Sequence, residues 1–199
     1  MNNLPGILFR GKTEEKNMWK VNIKTIVAIG IGAALFFVLG RFVAIPLPLP
    51  NLTLNIQYGI LGFMAALFGP VAGCLIGLIG HALIDFSYGW GVWWSWVIAS
   101  AGFGLLMGII GYRVRVREGI FEKKDILTFN IAQVIGHAIA WCLIAPVLDI
   151  LIYAEPANKV FTQGVGAAIP NIITTAIIGT LLCLAWAKTI PAKGSLKKQ

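Results

Sequence analysis

Long apolar runs with few charged residues dominate the pattern of apolar and polar positions along the chain. Runs over residues 22–45, 92–112, 128–152 and 164–187 each hold about the 20 apolar residues that a helix needs to cross a hydrocarbon core about 30 Å thick. The first run ends at a proline-rich stretch, residues 46–50, which cannot continue a helix. These four runs predict four transmembrane helices.

The region from residue 52 to residue 88 carries no charge until Asp85 and fits either one long span or two short spans broken at Gly69-Pro70. Basic residues mark both the N-terminal stretch and the loop at residues 113–124, and such blocks favour the cytoplasmic side. An even number of spans must then separate them, which selects two spans, residues 53–68 and 70–88. The pattern therefore predicts an all-α membrane protein, a compact bundle of six transmembrane helices with both termini in the cytoplasm.

Composition supports one membrane domain without a soluble one. Hydrophobic residues make up 58% of the chain and charged residues 12%, with a mean hydropathy of +0.82, whereas soluble domains carry about 25% charged residues. The predicted organisation is a cytoplasmic leader at residues 1–20, a membrane domain at residues 21–187 and a cytoplasmic tail at residues 188–199. The first apolar run exceeds the h-region of a cleaved signal peptide.

The formal net charge of +8 does not indicate nucleic-acid binding. The basic residues form three blocks that flank apolar runs, and no aromatic residues alternate with them as a stacking platform requires. Three cysteines, Cys74, Cys142 and Cys183, lie inside apolar runs without metal-ligand spacing. We therefore expect no nucleic acid and no metal site.

Ionisable residues inside the membrane are costly and become functional candidates for that reason. Arg41, Asp85 and Asp149 lie at a similar depth near the predicted outer ends of their spans, and His81 shares a helical face with Asp85. Two main interpretations are open. Arg41 pairs with one of the aspartates, or these groups converge on a ligand that enters from outside. A proton relay through His81 and His137 is a third interpretation.

Four tryptophans, Trp90, Trp93, Trp94 and Trp96, cluster where the fourth span meets the predicted outer interface. They fit an interfacial aromatic belt or a wall over a ring-bearing ligand. Further hydrogen-bonding groups fall in the outer halves of spans. The predicted ligand-binding set comprises Arg41, Gln57, Tyr58, His81, Asp85, Trp90, Trp93, Trp94, Asp149 and Asn171.

Small residues repeat along the first span in two small-xxx-small pairs, Ala28 with Gly32 and Gly30 with Ala34. Such pairs allow close approach of another helix, which belongs either to the same bundle or to a separate membrane subunit. The candidate docking set is Ala28, Gly30, Gly32, Ala33 and Ala34.

Four local stretches resemble a known family. They are Gly40-Arg-Phe-Val-Ala-Ile-Pro46, Phe68-Gly-Pro-Val-Ala-Gly73, Ile79-Gly-His-Ala-Leu-Ile-Asp85 and Trp93-Trp-Ser-Trp-Val97. With the basic N-terminus and the small-residue face, they resemble S components of energy-coupling factor (ECF) transporters, the vitamin-binding subunits of a class of bacterial ABC importers. The likeness covers residues 21–187 and points to a formerly uncharacterised family that includes a cobalamin S component.

The resemblance implies a transport subunit in the bacterial cytoplasmic membrane that captures a vitamin from outside and needs no cofactor. Cobalamin is the expected vitamin, and riboflavin or hydroxymethylpyrimidine are the alternatives. The implied partners are a transmembrane coupling subunit, two ATPase subunits and membrane lipid. The only match to the GxxxxGK[ST] pattern, residues 6–13, lies in the predicted leader, outside the membrane domain that the resemblance covers. By the resemblance, ATP hydrolysis is expected in the partners and the chain is not expected to be an enzyme.

Two other function classes compete with this reading. The first is an intramembrane enzyme that uses His81 and Asp85, which needs a nucleophile within hydrogen-bond reach that the spacing does not supply. The second is a self-sufficient permease driven by protons through Arg41, His81 and Asp149, for which internal inverted repeats would be typical.

Overall fold

The computed structural model describes residues 18–48, 53–89 and 91–190. Six helices lie in this part of the chain, with one 3₁₀ turn at Arg115–Glu118 and a two-residue antiparallel pair of strands, β1 (Ile45–Pro46) and β2 (Thr53–Leu54). The helices are α1 (Ile23–Phe42), α2 (Gln57–Phe68), α3 (Pro70–Tyr88), α4 (Trp94–Gly111), α5 (Lys123–Tyr153) and α6 (Ala157–Thr189).

The predicted number and order of helices are confirmed. Five helices are long and apolar enough to cross a membrane, whereas α2 is an apolar helix of 12 residues. The ambiguous region divides where Gly69-Pro70 stands, because Gly69 has a φ of 93° and Pro70 opens α3. Glycine adopts this positive φ without a Cβ clash, and proline suits a first helical turn.

Local chemistry fixes several other helix ends. The side chain of Asn22 caps α1 by accepting a hydrogen bond from the backbone N–H of Thr25 at 3.0 Å. Gly89, with a φ of 83°, ends α3 in the left-handed conformation. Glu122 and Asp125 form a capping box that begins α5.

Both long helices contain a π-helical segment associated with a proline. In α5 the segment Ala140–Ile144 ends two residues before Pro146, and in α6 the segment Thr175–Gly179 begins five residues after Pro170. A proline inside a helix lacks an N–H and displaces a carbonyl, which widened turns can accommodate. The segment Ala140–Ile144 includes the turn that Pro146 disrupts, and both helices continue past their prolines, to lengths of 31 and 33 residues.

Helices α3 and α4 pack with their backbones in close contact. A Cβ added to Gly73 would collide with the carbonyl oxygen of Gly104, and one added to Gly77 would lie 2.5 Å from the carbonyl oxygen of Ser100. Only glycine permits this approach. The consequence for the site is that His81, one turn farther along α3, lies beside the Ser100 side chain.

The small residues of α1 divide between two faces. Ala28, Gly32 and Ala33 are buried inside the bundle, where a Cβ on Gly32 would lie 2.5 Å from the side chain of Ile76 in α3. Gly30 and Ala34 are exposed, and nothing lies within 4 Å of a Cβ built on Gly30. Intramolecular packing therefore accounts for the first of the two small-xxx-small pairs.

The bundle has two chemically different ends. One, which we call the basic end, holds the α4–α5 connection, where Arg115 lies 2.7 Å from Asp125 and 3.1 Å from Glu122. The hydrogen bonds that Arg115 donates to Asp125 and then to Glu122 raise the pKa of Arg115 above its ordinary value. The other, which we call the site end, holds the C-terminal ends of α3 and α5 and the N-terminal ends of α4 and α6.

Candidate functional site

A cavity of about 280 Å³ opens at the site end, where four helix ends meet. Helices α3 and α4 contribute its first four lining residues, α5 contributes an aspartate, and the α5–α6 connection with the start of α6 contributes the rest. The lining residues are His81, Asp85, Trp93, Trp96, Asp149, Glu155, Lys159 and Gln163. The lining thus combines two indole rings with several ionisable groups.

The carboxylate of Asp149 holds the start of α4 through three hydrogen bonds. The indole N–H of Trp93 donates to Oδ1 at 2.6 Å, the indole N–H of Trp96 donates to Oδ2 at 2.8 Å, and the Ser95 hydroxyl donates to Oδ1. Asp149 is 2% exposed, and a buried carboxylate is tolerated when donors satisfy it. These bonds fix both indole rings in place.

Each of the two indole rings also stacks on a second aromatic ring. Trp93 lies on Tyr153, with ring centroids 4.3 Å apart and planes inclined by 29°. Trp96 lies on the buried Trp141, with centroids 5.4 Å apart and planes inclined by 30°. Hydrogen bonds at the edge and stacking on the face together give the cavity rigid aromatic walls.

Asp85 and His81 line the cavity from successive turns of α3. Asp85 Oδ2 accepts the backbone N–H of Trp93 at 2.9 Å, and Asp85 Oδ1 lies 3.6 Å from His81 Nε2. His81 Nδ1 lies 2.5 Å from the Ser100 hydroxyl, which in turn lies 2.8 Å from the Tyr58 hydroxyl. This chain of polar contacts runs from the cavity into the core and orients the imidazole.

Residues that follow α5 complete the lining. Lys159 Nζ lies 2.6 Å from Glu155 Oε2, so the ammonium and this carboxylate largely neutralise each other. Ala154, just before them, has a φ of 53°, which turns the chain sharply from α5 toward α6. The tight turn brings a charged pair and the amide of Gln163 into the lining.

Four residues of the predicted ligand-binding set line the cavity, namely His81, Asp85, Trp93 and Asp149. Tyr58 lies one layer behind them. The exposed side chain of Trp94, together with Gln57 and Asn171, lies outside the lining, although the buried Gln57 Oε1 and Asn171 Oδ1 have no hydrogen-bond donor among the described residues. Trp90 falls outside the described residues.

The suggested ion pair between Arg41 and an aspartate is not formed. The guanidinium of Arg41 lies over the ring of Tyr88, 4.3 Å from its centroid, and 5.5 Å from that of Phe42. Among the described residues, neither Asp85 nor Asp149 lies within ion-pair distance of it. A cation–π contact therefore replaces the expected pairing.

The predicted ligand-binding set omitted four lining residues. Trp96 lies three positions after Trp93 and therefore shares its helical face, a signal that the spacing contained. The other three, Glu155, Lys159 and Gln163, lie between the predicted spans 128–152 and 164–187, in a stretch to which the sequence analysis assigned no binding residue. Their place in the lining depends on the turn at Ala154 and could not be read from hydropathy.

The geometry gives little support to the two other function classes, the intramembrane enzyme and the proton-driven permease. Ser100 does lie within hydrogen-bond reach of His81, which the spacing had not revealed, but it is 0% exposed and faces Tyr58. His137 bonds to Thr175 and Trp141, and no hydrogen bond among the described residues joins it to His81. In the same part of the chain, no group of three potential ligands could hold a metal ion.

Comparison with known proteins places the chain in a family. The model of the family described as ECF-type riboflavin transporter, S component, matches residues 20–188. A UPF0397 protein of Enterococcus faecalis (strain ATCC 700802 / V583) is 54% identical over 179 residues, covering 90% of this chain and 98% of that protein. A UPF0397 protein of Staphylococcus aureus (strain JH9) is 52% identical over 179 residues, covering 90% and 97%.

No solved structure matches the chain. The family match nevertheless spans all six helices except Thr189, the last residue of α6, and every described residue of the cavity lining. The matched family is one of membrane transport subunits, in agreement with a chain whose long helices are apolar enough to cross a bilayer several times. The protein is a multi-pass membrane protein and belongs to the family of ECF-type riboflavin transporter S components.

Proposed function

We propose that this protein is the substrate-binding subunit of an ECF-type importer and that the cavity at the site end binds a vitamin or vitamin precursor. The observation that carries the proposal is the pair of indole rings, Trp93 and Trp96, fixed by Asp149 on the wall of a cavity of about 280 Å³. Rigid aromatic walls with a few convergent polar groups are typical of sites for ring-bearing small molecules.

The volume of the cavity bears on which vitamin it takes. Ligand pockets usually measure about 300–1,000 Å³, and about 280 Å³ suits a single or fused heteroaromatic ring. Cobalamin, with its corrin ring and nucleotide loop, would require the site end to open well beyond this volume. We therefore favour a smaller ring compound of the riboflavin or hydroxymethylpyrimidine kind, and cobalamin remains the second candidate on the strength of the family resemblance.

The proposed division of labour assigns energy supply to partner subunits. Family membership supports association with a transmembrane coupling subunit and two ATPases. On this chain, the exposed Gly30 and Ala34 of α1 offer the small-residue surface on which a coupling helix could lie closely. The site end would then face outside and the basic end would face the cytoplasm, as the positive-inside rule requires.

The proposal is tested by separating binding from transport. The chain is purified alone, and small molecules retained by it are identified by mass spectrometry. It is then placed in liposomes either alone or with a coupling subunit and ATPases. We expect a retained vitamin-sized compound, and uptake only with the partners and ATP. Uptake by the chain alone in empty liposomes would instead indicate a self-sufficient permease.

A further inference from the structure

The cavity lining has an excess of negative charge. Among the described lining residues, Asp85, Asp149 and Glu155 supply three carboxylates, and Lys159 supplies one ammonium group. The lining therefore carries two net negative charges when His81 is neutral and one when it is protonated. No other cationic side chain contributes to it among the described residues, since Arg41 lies over Tyr88.

The three carboxylates differ in how far the protein satisfies them. Asp149 accepts three hydrogen bonds, and Glu155 pairs with Lys159 at 2.6 Å. Asp85 accepts one hydrogen bond, at Oδ2 from the backbone of Trp93. Its Oδ1 has no hydrogen-bond donor among the described residues and lies 3.6 Å from His81 Nε2. Asp85 is thus the carboxylate with spare acceptor capacity toward the cavity.

A carboxylate that is 8% exposed, at the edge of an apolar bundle, favours a partner that compensates its charge. The two indoles of the same lining favour cations as well, because the face of an indole ring is electron-rich. An anionic ligand would be repelled by the carboxylates and would find no available cation among the described lining residues, since the ammonium group of Lys159 already pairs with Glu155. The negative charge of the lining and its indole rings therefore both favour a cationic ligand.

From these observations we infer that the ligand is a cationic heteroaromatic compound, with a positively charged or protonated ring nitrogen held against Asp85 and the ring placed along Trp93 and Trp96. The inference rests on the proposed function and narrows it. Thiazolium, pyridinium and protonated aminopyrimidine compounds belong to this class. Neutral flavins and anionic vitamins do not.

Ligand charge is tested by titrating the purified full-length chain with four probes of different charge. Thiamine is a permanent cation, riboflavin and cyanocobalamin are neutral overall, and biotin is an anion. Intrinsic tryptophan fluorescence and calorimetry report binding. We expect thiamine to bind at least about tenfold more tightly than the other three, because its cationic ring compensates the charge of a largely buried carboxylate.

Variants of the lining separate charge from shape. Asp85→Asn keeps the side-chain volume and an acceptor for the Trp93 N–H, and it should lower thiamine affinity by roughly ten- to hundredfold. Lys159→Gln removes the cation and should raise thiamine affinity. Glu122→Gln, the same chemical change at the basic end, is the control that should leave binding unchanged. Thermal unfolding of each variant checks that the fold is retained.

The outcomes distinguish this inference from the proposed function. Tightest binding by riboflavin or cyanocobalamin, with equal affinity in the Asp85→Asn variant, would overturn the cationic class while leaving the substrate-binding role intact. Tightest binding by biotin would do the same. Binding of none of the four probes would overturn the cationic class as stated, and the absence of any co-purified compound would then count against the proposed function as well.

Discussion

The carboxylate of Asp149 accepts the indole N–H of Trp93 across the α5–α4 contact at 2.6 Å. This bond joins the last turns of one long helix to the residue that caps the start of another. Because the same carboxylate also holds Trp96 and Ser95, the aromatic wall of the cavity is positioned by one buried side chain. Asp149 thus positions the rings, and we propose that Asp85 contacts the ligand.

Replacing Asp149 with asparagine should destabilise the protein and loosen the wall. The amide keeps one acceptor oxygen but turns its NH₂ group toward an indole or hydroxyl donor, leaving buried donors unsatisfied. The expected loss is about 1–3 kcal/mol of unfolding free energy, seen as a lower melting temperature of the purified protein. Glu155→Gln is the matched control and should cost about 0–1 kcal/mol, since it breaks a more exposed ion pair. Equal melting temperatures for both variants would contradict the assigned role of Asp149.

Two tryptophans in the first turn of α4 allow a side chain that lines the cavity to be compared with one that is exposed. Trp96 lines the cavity and stacks on Trp141, whereas the side chain of Trp94 is 49% exposed and lies outside the lining. Trp96→Ala should weaken ligand binding by about 1–3 kcal/mol, or roughly ten- to hundredfold. Trp94→Ala should change it far less. Equal losses of affinity in equilibrium titration would show that the ligand lies elsewhere.

Two glycines of α1, two positions apart, should respond differently to leucine. Gly32→Leu collides with Ile76 and should destabilise the fold by about 1–3 kcal/mol. Gly30→Leu points into open space, so the isolated subunit should keep its stability and its ligand affinity while uptake by the complete transporter is lost. The measurements are melting temperature, ligand titration and uptake in reconstituted liposomes. Full uptake by the Gly30→Leu variant would remove this face of α1 from the docking surface.

The orientation of the bundle is tested by cysteine labelling in a variant without Cys74, Cys142 and Cys183. A membrane-impermeant maleimide applied from outside should label a cysteine introduced at Ala157, beside the cavity, and should not label one at Glu118, in the basic connection. Both positions are exposed in the structure. Labelling of the second position and not the first would invert the topology and place the cavity on the cytoplasmic side.

The number of helices could be predicted because it depends on hydropathy and on the placement of basic residues, both of which are local properties. Helix ends could also be predicted where glycine and proline set them, as at Gly69-Pro70. The starts of α5 and α6 could not: they were predicted at residues 128 and 164, whereas the helices begin at Lys123 and Ala157. In both cases polar residues extend the helix beyond its apolar run, and at α5 the capping box of Glu122 and Asp125 stabilises the extension.

The site could be predicted only where helical spacing determines it. His81 and Asp85 share a face at i, i+4 and do lie together in the lining. Which tryptophan enters the lining depends on how α4 rotates about its axis, and that rotation follows from glycine-mediated contact with α3. The partner of Arg41 likewise depends on where Tyr88 ends α3, which no spacing rule contains.

The central claim is that one cavity captures a small molecule while energy for transport comes from other subunits. Its most direct test measures binding and uptake with the same chain in the same liposomes. The chain alone should bind a vitamin-sized compound with a stoichiometry of about one, should bind it roughly ten- to hundredfold more weakly in the Trp96→Ala variant, and should accumulate none of the compound until the coupling subunit, ATPases and ATP are added. Binding that survives Trp96→Ala unchanged, or accumulation by the chain alone, would contradict the account.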